Sequence, residues 1–175
     1  MKKLKEVDQT TPLYHNTTLL LKKYREVAWN LELDVQHVKH GFKLEYGKSI
    51  EEFLDSIYLA GADIGGSKLE HYAQNIERNY KMLSLVRSAL ELIREKHMNG
   101  EEYYWILYYT YIIPQHPKNT EEIIENLRPH IQSISYRTYY RKRPEAIDVL
   151  SNVLWGYTAI SSINLLDNFF PEYNV

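Results

Sequence analysis

The stretch SYRTYYRKR, residues 135–143, places four basic side chains and three tyrosines in nine residues. Charged N–H donors at this density suit phosphate oxygens, which take charge-assisted hydrogen bonds and repay neutralisation. Arg137 and Arg141 are four apart and share one helix face. Tyr140 and Lys142 flank that face, and Tyr139 and Ala146 fall on the opposite, inner one. Ser135 is placed to cap the helix, and the free backbone N–H groups behind it are suited to an anion. A charge run is ordinarily a solvated face, so spacing alone leaves both readings open.

Other constellations are weaker. His37 and His40 are three apart, but no third ligand stands at fixed spacing and no His-Glu-x-x-His occurs, so surface histidines are the simpler reading. ADIGGSKLE lacks the spacing of a phosphate-binding loop, and Lys68 follows the serine instead of preceding it. The acidic pairs Glu51/Glu52, Glu101/Glu102 and Glu121/Glu122 all begin helical patterns, where the helix dipole explains them. No nucleophile motif is present. The expectation is a protein without catalytic residues, metal site or cofactor, and not an enzyme.

The chain carries a net charge of -2, so nucleic-acid binding must come from a local patch. It has no cysteine, which removes disulfides and thiol chemistry. The N-terminal stretch has no apolar core of signal-peptide length, and no run of about 18 apolar residues exists. A cytoplasmic protein with no membrane partner is expected. Sixteen tyrosines suit half-buried positions, with an apolar body and a polar tip.

The elements that must position the basic stretch read as helices throughout. Leu20, Tyr24, Val27, Ala28 and Leu31 recur at helical spacing, with Gly41 and Gly47 expected as breakers. Ser49 and Glu52 form a capping box ahead of Ile50, Phe53, Leu54 and Ile57. AGADIGGS, residues 60–67, reads as a flexible connection, and Ser67 with Glu70 opens a second box. Leu69, Tyr72, Ile76, Tyr80, Leu83, Val86, Leu90 and Ile93 predict one long helix over about 68–97, with Asn99-Gly100 as its stop. It suits a bundle spine, and a homodimer seam is the lesser alternative.

EEYYWILYYTYIIP, residues 101–114, is compatible with a buried strand or a buried helix. Its leading acids, its closing proline and the lack of a partner strand favour helix. Asn119 with Glu122 caps a short helix that Pro129 ends. Ile123, Leu127, Ile134, Tyr139 and Ala146 are the expected core of a C-terminal helix-turn-helix. The fold class is therefore all-α, a helical bundle with a C-terminal helix-turn-helix. Residues 1–60 form an N-terminal helical segment, 61–67 a connection and 68–175 the spine and helix-turn-helix lobe, in one compact domain.

The C-terminal part resembles the ArpU-type phage transcriptional regulators, distant relatives of the sigma-factor DNA-reading domain. The residues that carry the likeness are NTEEIIENL, then SYRTYYRKRPEAIDVL, then LWGY. LLKKYREVAWNLE and SALELIREKHMNGEEYYWILYYTYI are also similar to such proteins, so the likeness spans about 17–31 and 76–157. It implies a helical DNA-binding regulator of phage or prophage type. Double-stranded DNA is then the partner, host RNA polymerase a further candidate, and a homodimer would use the 68–97 helix. Ser135, Tyr136, Arg137, Thr138, Tyr140, Arg141, Lys142 and Arg143 are the candidate DNA-binding residues. Arg137, Tyr140 and Arg141 would face the groove, and Tyr136, Lys142 and Arg143 would lie nearer phosphates.

RPHIQSI, residues 128–134, is longer than the tight turn of that pattern, and Pro144 falls where the helix would run on. The proline predicts a recognition helix ending near Arg143 and a new helix starting at Pro144. A non-enzymatic protein-interaction module using the same Tyr/Arg surface is the alternative, since those residue types also dominate protein hot spots. Salt separates the two, because phosphate contacts weaken steeply with ionic strength.

Overall fold

The computed structural model describes residues 12–47, 49, 52 and 68–155, and among them all regular structure is helical. In chain order the elements are α1 (Pro12–Tyr46), α2 (Lys68–Lys96), α3 (Gly100–Leu107), a π-helix (Tyr108–Ile112), α4 (Thr120–Leu127) and α5 (Tyr136–Trp155). The fold class is all-α, as the periodicity predicts. None of the helices among the described residues is long and apolar enough to cross a membrane. The connection expected at 60–67, the Ser67–Glu70 box, the short helix around Ile50–Ile57 and the Gly156-Tyr157 end of LWGY lie outside the described residues.

The chain divides into two compact units, Met1–Arg25 with Ser84–Val175, and Glu26–Leu83. The division runs through α1 and α2. In the second unit, Asn30, Leu33, Asp34 and His37 of α1 and Asn75, Arg78 and Asn79 of α2 line an open polar cleft of about 310 Å³. The first unit holds most of the apolar core, with Leu20, Leu21, Tyr24, Leu90, Ile93, Ile106, Leu107, Tyr139, Leu150 and Trp155 all buried. Its N-terminal turns are tied to its C-terminal helix by a buried hydrogen bond, since Trp155 Nε1 donates to Thr17 Oγ1 at 2.8 Å. That hydroxyl in turn donates to the Leu13 carbonyl, so no polar atom of the pair is orphaned.

Three glycine expectations meet different fates. Gly47 ends α1 in the left-handed region, φ 68°, where only glycine is free of strain, and its N–H returns to Lys43 O. Gly41 is no breaker. It lies inside α1, where an interior glycine costs about 1 kcal/mol and the helix continues through it. Gly100 is not a left-handed stop after α2 but the buried first residue of α3. A Cβ there would stand 2.2 Å from Ile93 O and 2.6 Å from Arg94 O, so the α2–α3 corner closes only over a bare backbone. Tyr72 and Tyr80, expected on the inner face of α2, are exposed at 46% and 63%.

Pro144 brings the largest departure. α5 runs unbroken from Tyr136 to Trp155 with Pro144 inside it, so neither an end at Arg143 nor a restart at Pro144 occurs. The missing N–H leaves the Tyr140 carbonyl without its helical donor, a loss of about 3 kcal/mol. Beyond it Ala146, Ile147, Leu150 and Trp155 are buried on one face. Burial of an Ile or Leu contributes about 1.5–3 kcal/mol, so packing outweighs the missing bond.

Because the obstacle at Gly100 is backbone and cannot rotate away, Gly100→Ala should lower stability by about 1–3 kcal/mol, the usual cost of overpacking. A shift in the urea midpoint at unchanged slope would show it; an unchanged midpoint would mean that the corner opens freely.

Candidate nucleic-acid interface

The basic stretch sits on α5, which is held by a small core of Ile106, Ile124, Leu127, Ile131, Ile134 and Tyr139. Ile123, Trp105 and Tyr109 pack against it from partly buried positions. Local capping sets both helices. Asn119 Oδ1 accepts from Glu122 N at 3.0 Å, and Glu122 Oε2 accepts from Lys118 N, one residue before the box partner. Ser135 Oγ accepts from Thr138 N at 3.2 Å and pairs with the Thr138 hydroxyl. Pro129 follows the end of α4, as expected.

The long connection between α4 and α5 is not slack. Ile131 and Ile134 are buried in the core, and Ser133 takes a left-handed φ of 57° to let both point inward. His130 stacks on Trp105 with centroids 3.7 Å apart, and its Nε2 lies 3.1 Å from the Tyr109 hydroxyl. Trp105 Nε1 donates to Glu101, which also receives Arg94 Nε at 2.8 Å. The connection is thereby fixed to α3 and to the end of α2.

The helix splits the eight candidate residues by its 100° step. Ser135, Tyr136, Arg137, Tyr140 and Arg141 are exposed, and Thr138 is half-buried. Among the described residues neither Arg137 nor Arg141 forms an ion pair. Tyr136 and Tyr140 are each 49% exposed. The Tyr140 hydroxyl lies 3.1 Å from Thr120 Oγ1 at the start of α4. The Tyr136 phenol is raised above its ordinary pKa by partial desolvation first and then by the nearby Glu121 carboxylate, with Glu125 adding to it.

Lys142 and Arg143 are not presented with the others. Lys142 pairs with Glu102 of α3, and its side chain is only 16% exposed. Arg143 lies over the Tyr139 and Tyr140 rings, 5.5 and 5.3 Å from their centroids. Burial works against its charge, but the Tyr139 hydroxyl and the Tyr111 and Tyr140 phenols around it prevail and raise its pKa. Lys142 and Arg143, expected nearer phosphates, both make contacts that help to seat α5. Tyr103 adds to that seat by donating to Glu145 at 3.1 Å.

One residue that spacing did not single out matters here. Arg25 Nε donates to Ile113 O at 2.8 Å and its Nη2 to Thr110 O at 2.9 Å, with Tyr109 O at 3.4 Å. It closes the C-terminal end of the π-helix, where carbonyls lack helical donors. Between those carbonyls, Thr110 Oγ1 meets the Tyr139 hydroxyl of α5 at 3.0 Å. No local sequence signal points to a partner 85 residues away. His37 and His40 are exposed, and no group of metal-ligating side chains forms among the described residues. No protein-family model, no curated protein and no solved structure matches the chain.

The hydrogen bond from Arg94 chiefly holds the Glu101 carboxyl below the usual carboxylate range, and that from Trp105 acts in the same sense. A depressed folded pKa gives stability that is present above the unfolded value and lost as pH falls through the folded one. The difference in urea midpoint between the wild type and Glu101→Gln should therefore be full at pH 6. It should shrink below about pH 4.3, the unperturbed glutamate value. A difference independent of pH would assign the effect to packing.

Proposed function

We propose that the protein is a sequence-specific DNA-binding transcriptional regulator of phage or prophage type, with the N-terminal half of α5 entering the major groove. The observation that carries this reading is the pair Arg137 and Arg141. They lie one turn apart on an exposed face of a Ser135-capped helix, without an ion pair among the described residues. A helix fits the major groove, and arginine pairs bidentately with guanine there. Tyr140 would face the groove beside the two arginines, and Tyr136 would offer its ring and hydroxyl to sugar and phosphate. The resemblance to ArpU-type regulators in residues 135–147 supports the same reading, which puts the protein in the cytoplasm with its DNA.

A second reading, a protein-interaction module, is favoured by Glu121 and Glu125 standing beside Tyr136. Carboxylates there repel phosphates and would suit a basic protein partner, and aromatic and arginine side chains suit a protein hot spot.

Binding to random duplex DNA at about 50 and 200 mM salt separates the two. On random duplex, where the two guanidiniums meet phosphates in place of a matched base edge, affinity should fall about tenfold over that range, from a slope of about −0.9 per contact. Arg137→Glu with Arg141→Glu should abolish binding and leave the helical circular-dichroism signal unchanged. Lys142→Ala should leave the salt slope unchanged while lowering stability, because its charge is engaged by Glu102. No binding at low salt, or a slope that follows Lys142, would overturn the DNA reading.

A further inference from the structure

A pocket of about 400 Å³ lies in the first unit, between α2 on one side and α3 with the π-helix on the other. That volume is within the range of small-molecule sites. Leu90, Ile112 and Pro114 give it an apolar lining. Tyr104 and Tyr108 form one wall, with their rings 11° from parallel and their centroids 5.8 Å apart. The Arg94 guanidinium lies over the Tyr104 ring, 4.7 Å from its centroid, so a planar guest would meet the pair on its remaining side. Tyr108 and Ile112 belong to the π-helix, a distortion that is frequent at functional sites.

Two charged side chains sit on the α2 side, and they are not equivalent. Glu91 lies beside the Tyr104 hydroxyl, which burial and then that carboxylate push above its ordinary pKa. Arg87 gives Nε to the Tyr24 hydroxyl at 2.6 Å, and among the described residues it forms no ion pair. Its terminal N–H groups therefore remain for an acceptor at the pocket. A planar carboxylate matches guanidinium geometry bidentately.

We propose that this pocket binds a small aromatic carboxylate, its ring against Tyr104 and Tyr108 and its acid on Arg87. Thr110, two residues after Tyr108 in the same π-helix, lies 3.0 Å from the Tyr139 hydroxyl of α5. The binding itself does not depend on the DNA reading.

Isothermal titration calorimetry on the full chain tests it with indole-3-carboxylate and benzoate as probes, and with indole-3-carboxamide as the neutral isostere. At least one acid should bind saturably with a Kd of about 1 mM or tighter, and the carboxamide at least tenfold more weakly. Arg87→Gln keeps a donor for Tyr24 but removes the charge, and Tyr104→Ala removes a wall. Each should weaken the acid about tenfold with circular dichroism unchanged. The comparison of acid with amide uses the wild type alone, so it holds even where a variant fails to fold. No saturable binding of either acid, equal binding of acid and amide, or affinity indifferent to both substitutions would overturn the proposal.

Discussion

The carbonyls at the end of the π-helix constrain much of this unit. A widened turn breaks the regular donor ladder, and the chain then turns away at Ile113, so Tyr109, Thr110 and Ile113 present oxygens without helical partners. Arg25 supplies the donors from α1. Taking a guanidinium partly out of water is unfavourable, and burial does lower the Arg25 pKa. Three carbonyl acceptors return charge-assisted hydrogen bonds, the strong kind. With the segment fixed, Thr110 is held against Tyr139, and Tyr139 is the buried side chain around which the exposed half of α5 is oriented.

What was legible in the sequence is local. Ser49 and Glu52 exchange hydrogen bonds at 3.0 and 3.1 Å as a capping box should, because both partners lie within four residues. The caps at Asn119 and Ser135, the stop at Gly47 and the length of α2 were legible for the same reason. Gly41, Gly100 and Pro144 were read by the same local rules, and there those rules failed. Gly100 is required by the α2 carbonyls it approaches, and Pro144 is carried by packing further along α5. Both causes are tertiary, the close approach of another helix and the packing of a buried face, and neither is written in the residue's own local pattern.

The basic stretch follows the same division. Its charge was legible, but its partition between solvent and protein was not. That partition depends on Glu102, Tyr111 and Tyr139, which belong to other turns or elements. Of four basic side chains in nine residues, two help to seat α5 and two stand free of ion pairs among the described residues. A patch with this division has a smaller electrostatic reach than its composition suggests, since an arginine lodged among phenols or a lysine held by a carboxylate releases few counterions.

That division bears on how a nucleic-acid partner would be read. An interface relying on backbone charge needs many free cations and discriminates little among sequences. With two guanidiniums that form no ion pair among the described residues, flanking tyrosines and acidic neighbours at Glu121 and Glu125, non-specific attraction along this face is weaker than four cations would give. Under the DNA proposal, affinity must then come from groove-edge hydrogen bonds and close fit, which reward the right sequence. The rigid connection through Ile131, Ile134 and His130 suits that demand, because directional hydrogen bonds need a helix held in place. The seat that consumes half of the charge is thus also what would make the remaining half selective.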